Sequence, residues 1–128
     1  MIQGHVLVVD DERCIVDVIA DVFESEGFSV DRAQNGLEAM KAISRRRPDL
    51  VIADVLMPAM DGVSLARKIQ ERKSPIPVVL MSASEREAIR FDGPFIAKPF
   101  DIDAMLALAI EQIDDAKTEN TTGIAAAD

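Results

Sequence analysis

The sequence predicts an α/β fold, one five-stranded parallel sheet covered on both faces by helices. Three observations predict it. Short apolar runs alternate with segments of helical period, the joints between them are short, and polar residues recur where apolar runs end. Five such strand-helix units fit into 128 residues, the size of one domain. Right-handed crossovers would place the carboxyl ends of all strands on one rim, where sheets of this kind bind ligands.

Each element has its own signal. His5-Val6-Leu7-Val8-Val9 is apolar on both faces, so the first strand should be central. Ile15, Val18, Ile19, Val22 and Phe23 then follow helical spacing, and Gly27 is placed to stop that helix. Phe28-Ser29-Val30-Asp31 alternates apolar and polar residues, as a half-covered edge strand does. Asn35, with Glu38 three residues on, offers an N-cap to a second helix through Leu37, Met40 and Ile43, which ends in Arg45-Arg46-Arg47 before Pro48. Leu50-Val51-Ile52-Ala53 is a third strand closed by Asp54, and the loop Met57-Pro58-Ala59-Met60-Asp61-Gly62 leads to a helix carrying Leu65 and Ile69.

Pro77 opens the fourth strand, Val78-Val79-Leu80-Met81. Ser84 and Glu87 form a capping box, but Asp92-Gly93-Pro94 ends the helix they announce after about two turns or fewer. Phe95-Ile96-Ala97 is the fifth strand, with Lys98-Pro99 at its end. The last helix runs from about Asp101 and presents Ile102, Met105, Leu106, Ala109, Ile110 and Ile113 on one face. Periodicity fails after Lys117, so the domain is expected over residues 1–117 and a disordered tail over 118–128.

Composition excludes several classes of function. With 48% hydrophobic and 29% charged residues the chain is globular in composition, and no apolar run approaches the ~18 residues of a spanning helix. The first residues lack a basic segment leading into an apolar one, and a cytoplasmic location is expected. One cysteine makes neither an intrachain disulfide nor a thiolate zinc site. A net charge of -9 repels phosphate backbones and anionic membranes, which disfavours direct DNA binding and membrane insertion.

The chemistry-bearing residues fall on the predicted rim. Asp10 and Asp11 follow the first strand, Asp54 ends the third, Ser82 the fourth and Lys98 the fifth. Three carboxylates gathered there would repel one another, which a hard divalent cation resolves. Magnesium keeps waters and suits carboxylates together with a phosphoryl oxygen, with manganese as its substitute. Lys98 supplies a point charge and Ser82 a hydroxyl for the equatorial oxygens of a transferring phosphoryl group, and Asp54 is the natural nucleophile.

This ordered set resembles the receiver domain of two-component response regulators over residues 5 to 115. Asp10-Asp11-Glu12 matches the family's acidic pair, Asp54 its phosphoacceptor, and Met57-Pro58 through Met60-Asp61-Gly62 the loop after it. Ser82-Ala83 matches its hydroxyl switch and Lys98-Pro99-Phe100 its lysine turn. The resemblance implies a flavodoxin-like fold, a doubly wound sandwich with strand order 2-1-3-4-5, here with a shortened fourth helix. It implies phosphoryl transfer from a sensor histidine kinase or histidine phosphotransfer protein, and magnesium held by Asp11, Asp54 and the Leu56 carbonyl, with Asp10 acting through water. Further implications are a switch in which Ser82 moves toward the phosphoryl group while Phe95 turns inward, a downstream protein target, and a cis Lys98-Pro99 bond. It implies a stand-alone signalling protein that catalyses only its own phosphorylation and dephosphorylation.

Two departures from the family pattern stand out. The chain between Ser82 and Phe95 is short by more than a helical turn, and Leu56 and Ser84 hold positions that flank the phosphoryl group without being able to orient water. Each residue also has a blander reading. Asp10 and Asp61 can cap helices, Ser82 can be a strand-end hydroxyl and Phe95 ordinary core. Arg45-Arg46-Arg47 suits a solvated helix end, Cys14 reads as filler in a first helical turn, and His5 as exposed. An aspartate-nucleophile phosphatase is the rival enzyme, although Leu56 stands where its general acid would be. A pseudo-receiver acting only as an interaction module is the other alternative.

Overall fold

The computed structural model describes residues 4–73, 75–83 and 91–127, with side chains as far as Thr118. In chain order the elements are β1 (Gly4–Val9), α1 (Arg13–Ser25), β2 (Phe28–Ala33), α2 (Gly36–Arg45) and β3 (Leu50–Asp54). They continue with α3 (Gly62–Gln70), β4 (Val78–Ser82), β5 (Phe95–Ala97) and α4 (Ile102–Ala127). The five strands are parallel in the order β2-β1-β3-β4-β5. β1 is central and β2 lies at an edge, as their apolar and alternating patterns require. The Ser84–Glu87 capping box and the short helix expected after it lie outside the described residues.

Strand alternation divides the core in two. Leu7, Val9, Val51, Ala53, Val78 and Leu80 meet α2 and α3 on one face. Val6, Val8, Leu50, Ile52, Val79 and Met81 meet α1 and α4 on the other. Gly27 turns the chain between α1 and β2 with φ 94°, a conformation an L side chain resists. Phe23 and Phe28 on either side of that turn meet edge to face, 5.3 Å between ring centres. Asn35 caps α2 by accepting the Glu38 N–H at 2.8 Å.

The helices are rotated from the faces that large apolar residues alone suggest. α1 buries Val16, Ile19, Ala20 and Phe23 and leaves Val18 48% exposed. α2 buries Ala39 and Ala42 beside Ile43 and exposes Leu37, and α4 buries Met105, Ala109 and Ile113 while Ile102 and Ile110 stay exposed. Small alanines let a helix approach the sheet, so the contact face follows them rather than the bulkiest neighbours.

The backbone of α4 runs on to Ala127. One further expectation is corrected: His5 is not exposed. It is buried at 4% exposure, with its ring nitrogens 2.8 Å from Ser29 Oγ and 2.9 Å from Asp31 Oδ2. Pairing in parallel register with β2 brings both partners alongside it, a contact that spacing along one strand does not reveal.

Candidate functional site

The site is assembled where strands end. Asp10 follows β1 and is wholly buried, its backbone N–H donating to the Ala33 carbonyl at the end of β2. Its Oδ1 accepts the N–H of Glu12 at 2.9 Å, a local turn that delivers the chain into α1. Its Oδ2 faces the Lys98 ammonium at 2.9 Å. Asp54, the last residue of β3, is 8% exposed, with Oδ1 3.4 Å from the same ammonium. Asp11 is exposed at the lip, and donor oxygens of Asp10, Asp11 and Asp54 all lie within 4.8 Å of one another.

Lys98 is fixed by its own strand. Its N–H donates to the Ser82 carbonyl at 2.9 Å, tying the end of β5 to the end of β4, and the Lys98-Pro99 bond is cis. Ser82 is buried at the rim. Phe95 is partly buried and packs on the core beneath α2 and α3. Each residue singled out from the sequence therefore has a definite place. Asp10, Asp11, Asp54 and Lys98 converge, Ser82 stands at the adjacent strand end, and Phe95 begins the neighbouring strand.

The loop after Asp54 explains its own sequence. Val55 donates to the Met81 carbonyl and accepts the Gly62 N–H at 2.8 Å, so the loop closes directly beneath the aspartate. A Cβ on Gly62 would collide with the Asp54 carbonyl, so only glycine can open α3 there. Asp61 caps α3 by accepting the Ser64 N–H at 2.7 Å, the capping role its position in the sequence suggests. Ala59 turns the loop with φ 69°. Leu56, just past the strand, turns a 63% exposed residue to solvent.

Electrostatics set the chemistry. Burial first, then the charge of Asp10 and less that of Asp11, push the Asp54 carboxyl up from 3.8 to about 6, and Lys98 only partly offsets them. Burial works against the Lys98 charge, but its hydrogen bond to Asp10 and the charges of Asp10 and Asp54 prevail and raise its pKa. Two carboxylates thus face one lysine, with the third, Asp11, close beside them. An all-oxygen donor set with surplus negative charge fits a hard divalent cation such as magnesium.

Sequence reasoning missed a neighbour of this rim. Ile15, Ala83, Lys98, Pro99 and Phe100 line a largely apolar hollow of about 400 Å³. In the sequence Ile15 belongs to a helix stripe, and nothing in one sequence places the first turn of α1 beside the turn after β5. Cys14 is exposed beside it in the same turn. Among the described residues no helix is long and apolar enough to cross a membrane.

Known proteins resemble this chain in sequence and fold. The response regulator MprA of Mycobacterium sp. (strain KMS) is 32% identical over 109 residues, which is 80% of this chain and 47% of MprA, so the chain spans about half the length of that relative. The sporulation initiation phosphotransferase F of Bacillus subtilis (strain 168) is 35% identical over 109 residues, 80% of this chain and 88% of that protein. Among solved structures, the signal receiver domain of a signal transduction histidine kinase from Syntrophus aciditrophicus superposes with a TM-score of 0.80 at 30% identity, over 88% of this chain and 91% of that one. The family model described as the response regulator receiver domain matches residues 6–110. That span begins in β1 and ends inside α4, so it takes in the whole sheet and every residue of the rim, and the chain belongs to the response regulator receiver domains, signalling modules of two-component systems.

Proposed function

We propose that this chain accepts a phosphoryl group on Asp54 from a phosphohistidine of a sensor histidine kinase or histidine phosphotransfer protein. One observation carries the reading: a buried strand-end carboxylate lies within reach of two further carboxylates and 3.4 Å from a lysine held by its own strand. A carboxyl that titrates near 6 is still mostly ionised at neutral pH, yet it is poorly solvated and therefore reactive. Its oxygen attacks phosphorus, the phosphorus–nitrogen bond of the donor breaks, and the departing imidazole nitrogen takes up a proton. Lys98 and Ser82 stabilise the equatorial oxygens.

Asp10, Asp11, Asp54 and the Leu56 carbonyl would hold magnesium, or manganese in its place, and the ion would neutralise charge developing on the phosphoryl group. The apolar hollow between Ile15 and Phe100 lies beside Lys98 and suits the flank of a donor whose histidine must reach into the rim. Output follows from Ser82 moving toward the phosphoryl group and Phe95 turning inward, which alters the surface offered to a downstream protein, or from onward transfer of the phosphoryl group. Incubation with phosphorylated histidine phosphotransfer protein and magnesium, read by intact mass, tests this. Wild type should gain one phosphoryl group and Asp54→Asn none. An Asp54→Asn protein phosphorylated at the wild-type rate would overturn the assignment, and sustained phosphate release would favour a phosphatase.

A further inference from the structure

Half of the chain's 14 Lys and Arg residues lie at one end of one face of the sheet. Arg45, Arg46 and Arg47 close α2, and Arg67, Lys68, Arg72 and Lys73 close α3, all of them exposed. The two helices share one core cluster through Ala42, Ile43, Leu65 and Ile69. Arg47 Nη2 donates to the Pro75 carbonyl at 3.3 Å, so the chain leaving α2 meets the chain leaving α3. This concentration of positive charge is set into a chain whose net charge is -9.

The helix dipole accounts for only part of it. Arg45, Arg67 and Lys68 lie in last turns, where a cation complements the dipole, but Arg46, Arg47, Arg72 and Lys73 lie beyond them, where the effect has faded. Neighbouring acids offset only part of the patch: Asp49, which accepts the His5 N–H at 2.9 Å, and Glu71 stand against seven cations, and among the described residues no ion pair joins Arg45, Arg67, Lys68, Arg72 or Lys73 to a carboxylate. Clustered like charges repel, and an anion from outside relieves that repulsion.

We propose that the joined ends of α2 and α3 are a docking surface for an acidic segment of a partner polypeptide, independent of the phosphoacceptor reading. Among the described residues, the exposed large apolar ones, Val18, Leu37, Leu56, Ile102 and Ile110, all lie elsewhere, so they give the patch nothing to insert into a lipid surface. None of the five phenylalanines is exposed, and the chain has no Trp or Tyr, so the patch presents no ring on which a nucleic acid base can stack. A short acidic segment meets mostly cations, whereas a long polyanion also meets the acidic remainder of the chain. The patch sits at the far end of α2 and α3 from Asp54, so docking there leaves the rim open.

Fluorescence anisotropy with a labelled oligoglutamate peptide tests the surface, at about 50 mM and about 300 mM salt. Wild type should bind at the lower salt and release at the higher. Arg45→Glu/Arg72→Glu should weaken binding about tenfold or more, the milder Arg45→Gln/Arg72→Gln should fall between, and Arg13→Glu, on the other face, should stay within about twofold of wild type. Circular dichroism melts compare the folds of all four proteins. Unchanged affinity in both double variants would overturn the proposal. So would tighter binding of an oligonucleotide of equal charge, or binding of phosphatidylserine vesicles without binding of the peptide.

Discussion

The Lys98 ammonium lies 2.9 Å from Oδ2 of Asp10, a carboxylate without solvent exposure, across 88 residues of sequence. The pair fastens the turn after β5 to the end of β1, although the two strands are not neighbours in the sheet. Removing the lysine leaves a buried charge uncompensated. Lys98→Ala is therefore expected to destabilise the fold by about 3–5 kcal/mol in urea denaturation at neutral pH. A loss below about 1 kcal/mol would mean that water solvates Asp10 in place of the lysine.

Asp54 carries a pH signature of opposite sense to that of most carboxylates. Its folded pKa, about 6, lies above its usual 3.8, so the folded state binds the proton more tightly than the unfolded chain. The stability this contributes is fully present below about pH 4 and is lost as pH rises through about 6. Asp54→Asn cannot ionise and escapes the loss. The variant should exceed wild type in stability by about 1–3 kcal/mol at pH 7, with the difference shrinking toward pH 4. A difference that is the same at both ends of that window would show that the carboxyl is not strained by ionisation.

Much of this site was legible because its residues stand at strand ends, and a parallel sheet gathers strand ends whatever the loops do. Asp10, Asp54, Ser82 and Lys98 could be placed on one rim from the apolar runs before them alone. Gly62 was visible as part of a loop, but its reason, the backbone of Asp54 beneath it, belongs to tertiary packing. The contact faces of α1 and α2 were misjudged because hydrophobicity counts Val18 and Leu37 for more than Ala20 and Ala39, whereas close packing on a sheet favours the smaller side chain.

Magnesium should stabilise the protein through the same carboxylates. Because the ion binds the gathered site and not the unfolded chain, a saturating millimolar concentration should add about 1–3 kcal/mol and raise the melting temperature by several degrees. Asp11→Ala removes the exposed member of the cluster while leaving the buried Asp10 and Lys98 pair intact, so its melting temperature should respond little. Equal shifts in both proteins would place the ion elsewhere. Calcium at the same concentration controls for general charge screening.

The network around His5 holds the other end of the central strand. Its ring nitrogens bridge Ser29 and Asp31 on β2, its N–H donates to Asp49 and its carbonyl accepts the Asp49 N–H at 2.7 Å. Arg46 Nη2 reaches the same Ser29 hydroxyl at 3.1 Å, so α2, β1, β2 and the start of β3 all converge on this ring. His5→Ala keeps the backbone contacts but removes both ring bonds and leaves a cavity, at an expected cost of about 2–4 kcal/mol. Asp31 is partly exposed, and its own loss should cost less, about 1 kcal/mol, because water replaces the ring. In a double-mutant cycle the two losses should then fail to add, with a coupling of about 0.5–1 kcal/mol. Additive losses would mean that the ring stabilises the sheet edge by packing alone, without the hydrogen bond to Asp31.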